Sequence, residues 1–95
     1  METGEFEVLL EVGQAYLLSK DYGKAITKFS EALRINPHDP ETYYYLGLAY
    51  EGAERYSEAV QTYEKTLKID RGHGNAEIRL NEVKKKLEET KKKKK

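Results

Sequence analysis

Apolar residues along the chain fall in stripes with the period of an α-helix. Leu9, Val12, Gly13, Tyr16 and Leu17 follow an i, i+3, i+4, i+7, i+8 rhythm, which predicts an amphipathic helix from about Glu5 to Ser19. Lys20 and Asp21 read as a short turn. Tyr22, Ala25, Ile26, Phe29, Ala32 and Leu33 form the stripe of a second helix. Asn36-Pro37 stops it, because the residue before a proline disfavours helical geometry. A third helix starts at Pro40 behind Asp39 as its cap and carries Tyr43, Leu46, Gly47 and Tyr50. After a turn around 53–55, Tyr56, Ala59, Val60, Tyr63 and Leu67 mark a fourth. Arg71-Gly72-His73-Gly74 ends that helix, its two glycines reading as flexible positions. A fifth is expected from Asn75 to about Glu89, with Ile78, Leu80, Val83 and Leu87 as its apolar positions, and 91–95 reads as a solvated, frayed tail.

The stripes repeat at a spacing of 34 residues. Gly13 and Gly47, Tyr16 and Tyr50, Tyr22 and Tyr56, Ala25 and Ala59, Leu33 and Leu67, and Ile35 and Ile69 are each one period apart. A fixed period of this length marks stacked helical repeats, an architecture that mostly presents surfaces to partners. The expected fold is all-α: an α-solenoid of antiparallel helix pairs. It is read as a single domain over 1–90, with one repeat at about 6–39, a second at about 40–73 and a capping helix at about 74–90, followed by the lysine-rich tail. Gly13 and Gly47, with Ala25 and Ala59, let helix axes approach, while Tyr16, Tyr50, Phe29 and Tyr63 fill the remaining volume. Within Tyr43-Tyr44-Tyr45, Tyr43 is the expected core member.

Composition narrows the function classes. Ninety-five residues make one small domain with a modest core. No apolar run approaches the ~18 to 20 residues of a membrane span, no secretory signal is visible, and cysteine is absent, so a cytoplasmic location is the expectation. The formal net charge of zero divides unevenly: 15 acidic against 9 basic residues up to Val83 give −6, and 2 glutamates against 8 lysines from Lys84 onward give +6. The lysines could meet phosphates or anionic lipid. The tail has no interleaved aromatics to stack bases, however, and the acidic body disfavours nucleic acid or membrane, so the tail reads as solubilising. His38 and His73 stand in turns without metal-ligand spacing and read as surface residues. No grouping has the spacing of a catalytic set, so neither an enzyme nor a cofactor is expected.

In the second unit Tyr43, Leu46-Gly47, Tyr50, Ala59 and Tyr63, and in the first Val12-Gly13, Tyr16, Ala25, Phe29, Ala32 and Pro37, resemble the tetratricopeptide repeat. Leu9, Thr66 and Arg71 depart from its aromatic, Ala and Pro positions. The resemblance covers about residues 6–73. The fifth helix, with Glu77, Leu80 and Asn81 at the aromatic-Leu-Gly positions, looks like a terminal cap. The resemblance implies a concave groove lined by the first helix of each unit. Carried over by position, its candidate partner-binding residues are Leu10, Gln14, Leu17, Tyr44, Tyr45, Leu48, Ile78 and Arg79, rimmed by glutamates such as Glu7, Glu11, Glu41 and Glu51. The family's carboxylate clamp falls on Leu10, Gln14, Tyr45, Asn75 and Arg79. Only Arg79 matches, and one cation does not make a clamp for two carboxylates. What the resemblance implies is a protein-binding scaffold or adaptor that takes a peptide or helix with an apolar stripe and basic flanks. The alternatives are self-assembly through exposed helix edges near Leu80 and Leu87, giving a homo-oligomer, or tail-driven association with RNA or anionic membrane.

Overall fold

Two aspartates and a proline set much of the local structure. Asp21 accepts the Lys24 N–H at 3.3 Å, and Asp39 accepts the Thr42 N–H at 2.9 Å and the Thr42 hydroxyl at 2.6 Å, so each supplies the acceptor that a helix N-terminus lacks. The structure, a computed structural model, describes residues 4–93. These form α1 (Glu5–Leu18), α2 (Tyr22–Ile35), α3 (Pro40–Gly52), α4 (Tyr56–Ile69) and α5 (Gly74–Lys93). Helices α1 and α2, then α3 and α4, pack as pairs. The pairs meet through α2 and α3, and α5 lies on α4. The result is an elongated stack, 56 × 28 × 18 Å.

The close approach of each pair rests on its glycine. A Cβ on Gly13 would stand 2.6 Å from Phe29 Cε1, and one on Gly47 would stand 2.5 Å from Tyr63 Cε1. The aromatic ring of the second helix therefore lies directly on the backbone of the first, in both repeats. One core cluster gathers Ala25, Phe29, Leu46 and Ala49; the other gathers Ala59, Tyr63, Ala76, Leu80 and Val83. Thr66, standing where the family has Ala, is fully buried and satisfies its hydroxyl on the Thr62 carbonyl at 3.2 Å.

Several expectations change here. Tyr43 belongs to neither core cluster. It is half-buried, donates its hydroxyl to the Pro37 carbonyl at 3.0 Å and lies under Lys65; Tyr44 and Tyr45 pack against the cores instead. Leu80 is core, so it offers no edge for self-assembly. Helix α5 continues to Lys93, past the expected end near Glu89. Lys94 and Lys95 of the expected frayed tail lie outside the described residues. The glycines of the α4–α5 turn adopt no positive φ; the left-handed positions are Lys20 (φ 65°) and Glu54 (φ 61°), one period apart. No described helix is long and apolar enough to cross a membrane.

Candidate functional site

Helices α1, α3 and α5 share one side of the stack, and a cleft of about 330 Å³ opens there. Leu17, Tyr22, Leu48, Glu51, Gly52, Arg79 and Lys86 line it. The backbone of Gly52 ends α3 under the Tyr22 ring, and a Cβ at that position would run into the ring. Leu17 and Leu48 are half-buried and provide the apolar walls.

The floor is a charged cluster. Glu51 is only 8% exposed and accepts from every cation within reach. Oε1 takes the Tyr63 hydroxyl at 2.8 Å and Arg79 Nε at 3.2 Å; Oε2 takes Arg79 Nη2 and Lys86 Nζ, the latter at 3.3 Å. Burial acts to raise the Glu51 carboxyl. The hydrogen bonds from Arg79, Tyr63 and Lys86 outweigh that, and its pKa falls below the ordinary 4.5. The same contact with Glu51 raises Arg79, while burial and Glu51 together push the Tyr63 phenol far above its usual range. Two cations and one carboxylate leave the cluster at +1. A glutamate expected on an acidic rim is thus the buried joint between α3, α4 and α5.

The aromatic residues of α3 form a row across the junctions. Tyr45 stacks on Phe29 at 5.8 Å between ring centroids, tilts against Tyr44 at 5.8 Å, and Tyr44 in turn meets Tyr63 at 6.0 Å and His73 at 4.8 Å. Burial raises the Tyr44 phenol above its usual 10.0, with Arg79 opposing. His73 is not a surface histidine, its side chain being 11% exposed. Its Nδ1 accepts the Ala76 N–H at 3.1 Å, capping α5, so the proton sits on Nε2, which donates to Glu41 Oε1 at 2.6 Å.

Of the eight candidate residues, the structure brings Leu17, Leu48 and Arg79 to the cleft. Leu10 packs half-buried against the first core cluster, Tyr44 and Tyr45 lie half-buried in the aromatic row, and Gln14 is half-buried on α1. Ile78 is 60% exposed on α5. Arg79 is engaged by Glu51. Glu51, Lys86 and His73 were not foreseen as structural partners, yet the repeat period contains a signal for Glu51 and His73. Glu51 stands one period after Leu17, a carboxylate in an apolar register, and His73 stands one period after the capping Asp39. Among the described residues no group of His, Cys, Asp and Glu could hold a metal ion.

A sequence model of the TPR repeat matches residues 13–52, and one of the tetratricopeptide repeat matches residues 40–73. The chain belongs to the tetratricopeptide repeat family. It is 35% identical to the peroxisomal targeting signal receptor of Kluyveromyces lactis over 63 residues, 66% of this chain and 11% of the receptor. With the general transcriptional corepressor trfA of Dictyostelium discoideum it shares 33% identity over 72 residues, 74% of this chain and 5% of that protein. The chain thus spans 11% or less of the length of these relatives. Among solved structures it superposes on the TPR domain of Sgt2 from Aspergillus fumigatus with a TM-score of 0.86 at 27% identity, covering 94% of this chain and 59% of that one. The tetratricopeptide repeat typically builds protein-interaction modules, and this chain is such a module.

Proposed function

We propose that this chain binds an elongated segment of a partner protein, a peptide or a helix, along the side shared by α1, α3 and α5. The observation that carries the reading is the open cleft between the half-buried Leu17 and Leu48, over a floor where Glu51 is already hydrogen-bonded to Tyr63, Arg79 and Lys86. Its apolar walls and fixed polar floor suit a segment that inserts one apolar anchor there. Ile78, next in sequence to Arg79 of the cleft, is an exposed apolar residue of α5. Glu51 is bonded within the molecule to Arg79 and Lys86, so the charged side chains that line the cleft sum to +1. The relative named as a targeting signal receptor shares this repeat segment and supports a segment of protein as ligand.

The test uses Leu17→Asp/Ile78→Asp beside wild type. Neither residue is fully buried, so the variant should keep its helical circular dichroism. A photo-crosslinking residue at position 48 should capture the same protein segment in wild type and lose it in the double variant. Equal capture by both would sink the reading.

A further inference from the structure

Helices α3 and α5 are capped from equivalent repeat positions, and the two caps differ in chemistry. Asp39 accepts the Thr42 N–H at 2.9 Å where α3 begins. One period later, His73 Nδ1 accepts the Ala76 N–H at 3.1 Å where α5 begins. A carboxylate remains an acceptor until pH falls well below neutrality. An imidazole accepts only while uncharged, because both ring nitrogens hold protons in the cation. The cap of α5 is therefore titratable in a range where the cap of α3 is not.

The partners of the His73 ring divide by helix. From α3, Glu41 Oε1 receives the Nε2–H at 2.6 Å, and the Tyr44 ring lies 4.8 Å away between centroids. Both favour an imidazolium, the carboxylate by its charge and the tyrosine by cation–π attraction. From α5, the Ala76 N–H needs the Nδ1 lone pair, and the positive end of the helix disfavours a cation. The remaining polar groups of the turn are engaged elsewhere. The Asp70 carbonyl accepts the His73 N–H, its carboxylate accepts the Gly72 N–H, and Glu77 gives its own N–H to the His73 carbonyl. Arg79 acts on Tyr44 and is bonded to Glu51. We propose that His73 is an acid-released latch: uncharged, it ties the start of α5 to α3, and on protonation it stays with α3 and lets go of the first turn of α5. A proton on Nδ1 would face the Ala76 N–H, donor against donor, so that contact ends. Glu41 and Tyr44 hold the ring, so the helix turn yields. Leu80 and Val83 are buried against α4, which confines the release to that turn. The inference does not depend on the cleft as a ligand site.

Amide hydrogen exchange tests the latch, with protection taken relative to the intrinsic rate at each pH, between about pH 8 and 5, where an imidazole changes charge. Protection of the Ala76 amide should fall roughly fivefold on acidification, the effect of losing an N-cap, while that of Thr42 behind Asp39 holds level. His73→Asn caps without titrating, so its Ala76 amide should show no such fall. In Glu41→Gln the cation loses its charged partner on α3, and the fall should need more acid than in wild type. Three results would each overturn the proposal: level protection of Ala76 in wild type, an equal fall in His73→Asn, or a Glu41→Gln profile that coincides with wild type. If a variant loses its helical circular dichroism, Ala76 against Thr42 within wild type decides the case: a fall at Ala76 alone supports the latch, and parallel behaviour overturns it.

Discussion

A methyl group on Gly13 meets Phe29 and one on Gly47 meets Tyr63 at nearly the same distance, but the two rings differ in their freedom to yield. Phe29 is held by packing alone, while Tyr63 is also tied through its hydroxyl to Glu51. Overpacking of this kind costs roughly 1–3 kcal/mol, and the tethered ring should put Gly47→Ala at the upper end and Gly13→Ala at the lower. Thermal unfolding of the two variants checks this; equal losses, or a larger loss at Gly13, would show that the tether does not stiffen the ring. Glu51 itself gives a pH signature. Its folded-state pKa lies below the unfolded value near 4.5, so its contribution is complete above that value and is lost as pH falls from there through the folded pKa. Glu51→Gln should cost about 1–3 kcal/mol near neutrality, and the gap to wild type should shrink in urea melts below pH 4.5. A gap that stays constant on acidification would mean the carboxylate charge is not what joins the helices.

At the scale of elements, α1 and α3 end alike, and neither places a glycine at the left-handed position that follows. Lys20 N–H returns to the Leu17 carbonyl at 3.1 Å and Asp21 N–H to Tyr16 at 2.9 Å; Glu54 N–H returns to Glu51 at 2.9 Å and Arg55 N–H to Tyr50 at 2.9 Å. This doubled bond pattern places Lys20 and Glu54 in the left-handed region, which favours glycine. Lys20→Gly and Glu54→Gly should each raise stability by about 0.5–1 kcal/mol, read as a later urea midpoint; a loss at either position would show that its side chain matters more than its backbone. Helix spans and pairing were legible because periodicity, capping by Asp39 and the Asn36-Pro37 stop act locally. The glycine contacts were legible because a small residue and an aromatic recur together. Tyr43 was misread because three adjacent tyrosines point to three faces, and helix rotation, which sequence spacing leaves open, decides which faces the core. Glu51 and His73 were missed for a related reason. Their partners lie 28 and 32 positions away, and only comparison with their repeat-mates Leu17 and Asp39 exposes the change in role. The end of α5 was set short because lysine runs carry no stop signal.

Across the whole molecule, stability should be graded from the middle outward. Each helix in a stacked array gains from its neighbours on either side. Here α2 and α4 each lie between two helices, α3 joins the pairs, and α1 and α5 stand at the ends. The two ends are not equivalent. Helix α5 is held by Ala76, Leu80 and Val83 in the core, by the Glu51 cluster and by the His73 cap, whereas the outer edge of α1 is open along Val8, Glu11 and Ala15. Beyond the half-buried Leu87, α5 carries no apolar side chain among the described residues, so its last turns lack apolar anchorage. Amide hydrogen exchange should therefore show the slowest amides in α3 and α4, intermediate protection in α2 and the first half of α5, and the fastest exchange in α1 and in α5 after Leu87. Glu51→Gln should lower protection in α5 as far as Val83 and leave α1 unchanged, since the cluster ties α5 to α3 and α4 only. Protection lost equally across all five helices would mean that the stack unfolds as one cooperative unit, with no separable end for a partner or a second copy to displace.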